Sequence, residues 1–167
     1  EVLLTLDETF LAKRVSALKA EGIESLAICF LHSYMNAAHE ERAREVVSDI
    51  LPDVAISISS EICPEIREYE RMSTVCANAY VQPMMSRYLG RLETGLSELG
   101  LNCPLLLMMS SGGITTVETA SRQPIRLVES GPAGGAILAQ NIAAQNGLDK
   151  VLSFDMGGTT AKITLID

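Results

Sequence analysis

The sequence predicts an α/β fold: a mixed, largely parallel sheet with flanking helices, ending in a β-hairpin. Three observations carry this. Apolar runs of strand type, SLAICFL (25–31), VAISI (54–58) and LLLMM (105–109), alternate with stretches of helical periodicity. SLAICFL and LLLMM are continuous rather than alternating, as in strands covered on both faces. The last residues, SFDMGGTTAKITLID, are two apolar runs joined by a Gly-Gly-Thr-Thr turn.

Residues 7–21 have helical periodicity, with Phe10, Leu11, Val15 and Leu18 as the apolar stripe and Gly22 as C-cap. After the first strand, Asn36 is placed to cap a second helix through Asp49. Glu40 and Glu41 in its first turn suit the helix dipole, and Pro52 ends it. VAISI follows as a strand. Residues 66–99 then form a long helical stretch. Ile66, Tyr69, Met72, Cys76, Tyr80, Met84, Leu89, Leu92, Leu96 and Leu99 recur at helical steps and predict its core-facing stripe. Pro83 predicts two helices or one bent helix, because a hydrogen bond is lost in the preceding turn. LLLMM leads into the loop Ser110-Ser111-Gly112-Gly113, a short helix over 117–121 and an extended piece over 126–128. SGPAGG then opens a helix through Gln145, Gly147 stops it, and the hairpin pairs 151–155 with 161–166.

Composition narrows the function classes. The 167 residues carry 21 acids against 13 bases, a net charge of −8, without a run of basic residues. A nucleic-acid or anionic-membrane surface needs a basic patch, so neither partner is expected. No apolar stretch is long enough to span a bilayer. Cys29, Cys63, Cys76 and Cys103 form no CxxC pair and read as reduced, mostly buried thiols of a cytoplasmic protein. His32 and His39 lack the spacing of a helical metal pair and read as structural. Glu65, Arg67, Glu68, Glu70 and Arg71 read as a solvated helix start with ion pairs.

Three stretches can carry chemistry. In the hairpin, Gly157 and Gly158 can leave backbone N–H groups uncovered, Thr159 and Thr160 add hydroxyl donors, and such a nest suits phosphate oxygens. Asp155 beside it can hold magnesium through water or orient an attacking water. In SGPAGG, Pro132 suits the first helical position, with Ser130 or Gly131 capping. Gly134 and Gly135 weaken the first turn by roughly 1 kcal/mol each relative to Ala. An anion on the helix N-terminus, or close approach of a second helix, would offset that. Ser110, Ser111, Gly112 and Gly113 follow a strand's carboxyl end, where α/β folds place substrate, although a plain surface turn fits the same residues.

The stretch VESGPAGGAILAQNIAAQNGLDKVLSFDMGGTTAKITLID resembles the actin-like ATPase superfamily, in which a small-residue connecting helix leads through a strand into the second phosphate loop. Within it, FLHSYMNAAHE, REYERMSTVCANAYVQP, SSGG, ESGPAGG and FDMGGTT together resemble the hydantoinase A/5-oxoprolinase family. The resemblance implies an incomplete actin-like (ribonuclease H-like) fold and a hinge at Gly131, Gly134 and Gly135. It implies that residues 1–60 are the C-terminal part of an N-terminal α/β domain and that 61–167 begin a core domain.

It also implies ATP and magnesium as cofactors. Gly157, Gly158, Thr159, Thr160 and Lys162 would sit at the phosphates, and Asp155 at the metal. The implied chemistry is phosphorylation of a carbonyl oxygen of a cyclic amide, for ring opening, or of a ketone; the alternatives are a phosphotransferase of the sugar- or acetate-kinase kind and a non-catalytic nucleotide-gated module. The implied partner is a hydantoinase B-type subunit or domain. Many members carry Ser-Thr-Asp after DMGGT where Thr160, Ala161 and Lys162 stand here, which puts a role for that downstream acid in doubt. A first phosphate loop and an adenosine segment are missing, so the chain is expected to be an internal, inactive piece of a longer polypeptide.

Overall fold

A computed structural model describes residue 2 and residues 4–167. The element order is α1 (Glu8–Leu18), a 3-10 turn (Lys19–Glu21), β1 (Ser25–Ile28), α2 (Ala38–Ile50), β2 (Ala55–Ile58), α3 (Ser59–Ile62) and α4 (Glu68–Glu98). It continues with β3 (Leu106–Met108), β4 (Ile114–Thr116), α5 (Val117–Arg122), a 3-10 turn (Pro124–Leu127), α6 (Ser130–Gln145), β5 (Val151–Met156) and β6 (Ala161–Ile166). The α/β character is as expected, but a largely parallel sheet is not found among the described residues. The strands form three two-stranded sheets: β1–β2 parallel, β3–β4 and β5–β6 antiparallel. The chain divides into two units, one reaching to Arg91 and including Ser121–Ile125, the other comprising Leu92–Ala120 and Arg126–Asp167.

In the first unit, α1 and α2 pack beside the β1–β2 pair. Asp7 caps α1 by accepting the Phe10 N–H at 2.9 Å, and Gly22 ends it in a left-handed conformation at φ 66°. The core is Val15, Ile28, Ala43, Val47, Leu51 and Ile58. Asn36 accepts the Ala38 N–H at 3.1 Å from one position ahead of the N-cap, which is Ala37. Arg42 spans α2 to α1 through a two-pronged contact with Glu8, at 2.8 and 2.7 Å.

The long helix is continuous through Pro83. Its buried side departs from the one its apolar spacing predicts, although Leu89 of that stripe is buried and Leu92 and Leu96 are half-buried. Ile66 ahead of it, then Tyr69, Met72, Tyr80, Met84 and Tyr88, are exposed, whereas Arg71, Val75, Asn78, Ala79 and Leu89 are buried. Arg71 is thus no part of a solvated helix start, although Arg67 and Glu70 do form an exposed ion pair at 3.1 Å. A polar face buries here because each polar group finds a fixed partner. The cysteines are free, but Cys76 and Cys103 are exposed and the other two only half-buried, against the expected burial.

In the second unit, α6 packs against β3 and the β5–β6 hairpin. Residues Val151, Ser153, Lys162, Thr164 and Ile166 are partly buried, whereas Leu152, Phe154, Met156, Ile163 and Leu165 on the alternate face are exposed. The extended piece expected over 126–128 lies largely in a 3-10 turn, and β4, absent from the sequence reading, pairs with β3. No helix among the described residues is long and apolar enough to cross a membrane.

Candidate functional site

The β5–β6 register pairs Asp155 with Lys162 and Met156 with Ala161, leaving 157–160 as the connecting turn. Gly157 donates its N–H to the Thr160 carbonyl at 2.9 Å and closes that turn. Neither Gly157 nor Gly158 adopts a positive φ. The Gly157 N–H is thus taken within the turn. Asp155 is exposed.

The hairpin meets the start of α6 through charge. Lys162 forms an ion pair with Glu129, the residue preceding α6. Glu129 takes a left-handed backbone conformation at φ 64°, strained for a residue with a Cβ. The Lys162 ammonium is thus held by the carboxylate of the residue ahead of α6, while Asp155 is its neighbour across the strand register.

The helix begins at Ser130, so Pro132 occupies the third rather than the first helical position. Its missing N–H costs nothing there, because the first four N–H groups of a helix have no intrahelical acceptor. A Cβ on Gly134 would make ordinary contact with Met108 of β3, at 3.6 Å, while Gly131 and Gly135 face open space. The close approach at Gly134 is thus to a strand, not to a second helix.

The loop after β3 is the turn of the β3–β4 hairpin. Met109 donates to the Gly113 carbonyl at 2.8 Å and Gly112 to the Met109 carbonyl at 3.0 Å. Gly112 has φ 87°, and a Cβ there would lie 2.9 Å from Cδ1 of Ile137 on α6. Ser110 is exposed but tied down: its N–H donates to the Arg126 carbonyl at 2.8 Å, and its hydroxyl contacts the carbonyls of Arg126 and Val128. Ser110 therefore fixes the loop, and Ser111, Gly112 and Gly113 form its outer part. These links run in sequence: Ser110 to Val128, the adjacent Glu129 to Lys162, and Lys162 across to Asp155. The three stretches singled out in the sequence converge on the start of α6.

The family model described as Hydantoinase/oxoprolinase matches residues 71–167, and the one described as its N-terminal region matches residues 1–51. The chain belongs to the hydantoinase/oxoprolinase family. Within that family it is similar to the caprolactamase alpha subunit of Pseudomonas jessenii, 36% identical over 96% of this chain and 23% of the relative. The crystal structure of the ATP-dependent caprolactamase of that organism matches with a TM-score of 0.89 at 34% identity, covering 99% of this chain and 24% of that one. The 5-oxoprolinase of Saccharomyces cerevisiae is 33% identical over 95% of this chain and 12% of its own length. A nucleotide-free structure of acetone carboxylase matches with a TM-score of 0.83 at 25% identity, covering 98% and 23%. The chain thus spans a quarter or less of the hydantoinase/oxoprolinase proteins it resembles.

Polar residues of the first unit escaped the sequence reading. Glu40, expected as a dipole partner, is fully buried and accepts three donors: Phe30 N–H at 2.8 Å, the Ser59 hydroxyl at 2.6 Å and Ser60 N–H at 2.8 Å. Burial would push its carboxyl up, but the hydrogen bonds from Ser59 and from the Phe30 and Ser60 backbones outweigh burial and hold it below the usual carboxylate range. Arg71, also fully buried, donates to Ser59 Oγ at 3.2 Å and to the carbonyls of Glu65 and Phe30 at 2.6 and 3.0 Å, with its guanidinium over the Tyr34 ring. The sequence did carry a sign of this face: Arg71, Asn78, Gln82 and Ser86 fall on one side of a helix.

Proposed function

We propose that this chain supplies one phosphate loop and a hinge helix to an ATP-dependent enzyme that activates the carbonyl of a cyclic amide for ring opening. The observation that carries the reading is the convergence of Asp155, Lys162 and the 157–160 turn on the start of α6, within the stretch matched by the family model. The site fits a magnesium-bound phosphate. It offers backbone and hydroxyl donors at Gly158, Thr159 and Thr160, a cation at Lys162, and an exposed carboxylate at Asp155 that can hold the metal's water. ATP, when bound, supplies the phosphoryl group that turns a poor electrophile into a reactive one.

In this reading Gly131, Gly134 and Gly135 form the hinge of an actin-like fold, and Ser111, Gly112 and Gly113 face the substrate. Residues 1–60 belong to the family's N-terminal domain and 61–167 to its core domain. A hydantoinase B-type subunit or domain completes the enzyme, which is cytoplasmic, and this chain alone turns over no substrate. The likeness to acetone carboxylase favours one second reading, in which the activated carbonyl belongs to a ketone destined for carboxylation.

The test is calorimetric titration of magnesium-ATP into the parent polypeptide, as wild type and as Asp155→Ala. Binding that is weakened or lost in the variant supports the reading. If wild type binds no ATP, DMGGTT is a plain turn. Product assays on the same polypeptide separate the two readings: ring opening with phosphate release against bicarbonate-dependent carboxylation.

A further inference from the structure

A second site lies in the first unit, where Arg44 of α2, β2, Glu61 of α3, Gln82 of α4 and Arg122 of α5 enclose a cleft of about 250 Å³. Its polar groups are fixed by a one-way chain of hydrogen bonds. Asn78 Nδ2 donates to the Arg122 carbonyl and to Ser57 Oγ, both at 3.0 Å, while its Oδ1 accepts the Ile125 N–H at 3.2 Å. The Asn78 amide can therefore stand only one way round. Ser57, already an acceptor, sends its own proton to Gln82 Oε1 at 2.9 Å. That bond turns the Gln82 oxygen toward Ser57 and leaves its NH2 as the side chain's donor group.

The charged groups lean the same way. Arg44 donates to Glu61 at 2.9 Å, and Arg122 pairs with the other oxygen of the same carboxylate. Two guanidinium charges thus share one negative charge, and each keeps further N–H groups. Val54, Ile56 and Ile62 give the cleft an apolar wall. We propose that this cleft binds a small organic carboxylate with a short aliphatic body. The two guanidiniums and the Gln82 amide take its charged end, and the apolar wall takes its chain. A cation would meet donors on every side but one, and a hydrated inorganic anion would gain nothing from the wall.

The probe is sodium hexanoate, titrated into the isotope-labelled full chain while the Gln82 side-chain amide and the Arg122 Nε–H are followed by NMR. Saturable shifts are expected with hexanoate, and none with hexylammonium at equal ionic strength. Gln82→Glu, which adds a carboxylate to the cleft, is expected to weaken hexanoate at least about tenfold, with the melting temperature as a check on folding. Arg44→Gln serves as the readout if that variant does not fold. The proposal is overturned by an absence of saturable shifts, by equal shifts with hexylammonium, by inorganic phosphate binding as well as hexanoate, or by variants that fold and bind as wild type does.

Discussion

Arg71 on α4 reaches the carbonyl of Phe30, at the end of β1, across 41 positions of chain and at 3.0 Å, with no exposed surface of its own. Its guanidinium also meets Ser59 and the Glu65 carbonyl, so one side chain ties the carboxyl ends of both parallel strands to the approach to α4. Arg71→Leu would leave those acceptors buried and unpaired, and a loss of about 3 kcal/mol is expected in urea unfolding. Arg71→Lys should recover only part of it, since an ammonium cannot reproduce the planar fork. A Lys variant as stable as wild type would show that charge rather than geometry matters.

Glu40 makes stability depend on acid. Its carboxyl is held below the usual range in the folded chain, so the unfolded chain takes up the proton more readily. The contribution is therefore complete above about pH 4.3, the ordinary glutamate value, and is lost as pH falls through the lower folded value. Urea midpoints of wild type and Glu40→Gln should differ at pH 7 and converge toward pH 3. A constant gap across that range would contradict the assignment. Glu8, through its hydrogen bond to Arg42, and Glu70, through its own backbone N–H and then Arg67, are shifted the same way but are exposed, and solvent screens their share.

Two glycines should respond in opposite senses. Gly112→Ala forces a left-handed residue and crowds Ile137, and about 1–2 kcal/mol of destabilisation is expected. Gly134→Ala meets Met108 at an ordinary distance, so helix propensity should prevail and stabilise by up to about 1 kcal/mol. In the parent polypeptide the same Gly134→Ala should lower turnover if α6 is the hinge. Unchanged turnover would remove that role.

Lys162→Gln separates architecture from ligand binding. Its pair with Glu129 lies at the surface, so the melting temperature should barely move. Magnesium-ATP affinity of the parent polypeptide should nonetheless fall about tenfold if, as proposed, the 157–160 turn holds phosphate, because a cation beside it is removed. A large fall in melting temperature without any change in affinity would make Lys162 a purely structural residue.

Tyr80→Ser tests the orientation of the long helix. Tyr80 is 84% exposed, and the change should cost the 167-residue chain less than about 0.5 kcal/mol. A core position would lose several times that.

Local chemistry was the legible part of this fold. The Gly22 stop, the pairing of the DMGGTT hairpin, the continuous apolar strands and the helices between them follow from periodicity and turn residues, which act over a few positions. The facing of α4 was not legible. Its apolar stripe is the stronger pattern, but within this chain the partners that decide burial are Ser57 and Ser59, which satisfy Asn78 and Arg71 from distant positions. The site divides in the same way. DMGGTT, SGPAGG and SSGG announced themselves by composition, whereas Glu129 and its pairing with Lys162 depend on a backbone conformation that no residue type signals. The tethering of Ser110 depends likewise on where the segment before α6 runs.

Every strand here belongs to a two-stranded sheet, so among the described residues each has a neighbour on one side only. Along its other side a strand keeps a row of N–H and C=O groups directed away from its partner. The molecule is in that sense multivalent: three short ladders, each with open rungs. The β5–β6 ladder adds an adhesive surface, since Leu152, Phe154, Ile163 and Leu165 line one exposed face. A charge of −8 opposes association only over about 8 Å at physiological salt, too short a range to keep such edges apart once they touch. Open strand edges and the apolar hairpin face together thus make a strand or helix laid over the hairpin a cover for both.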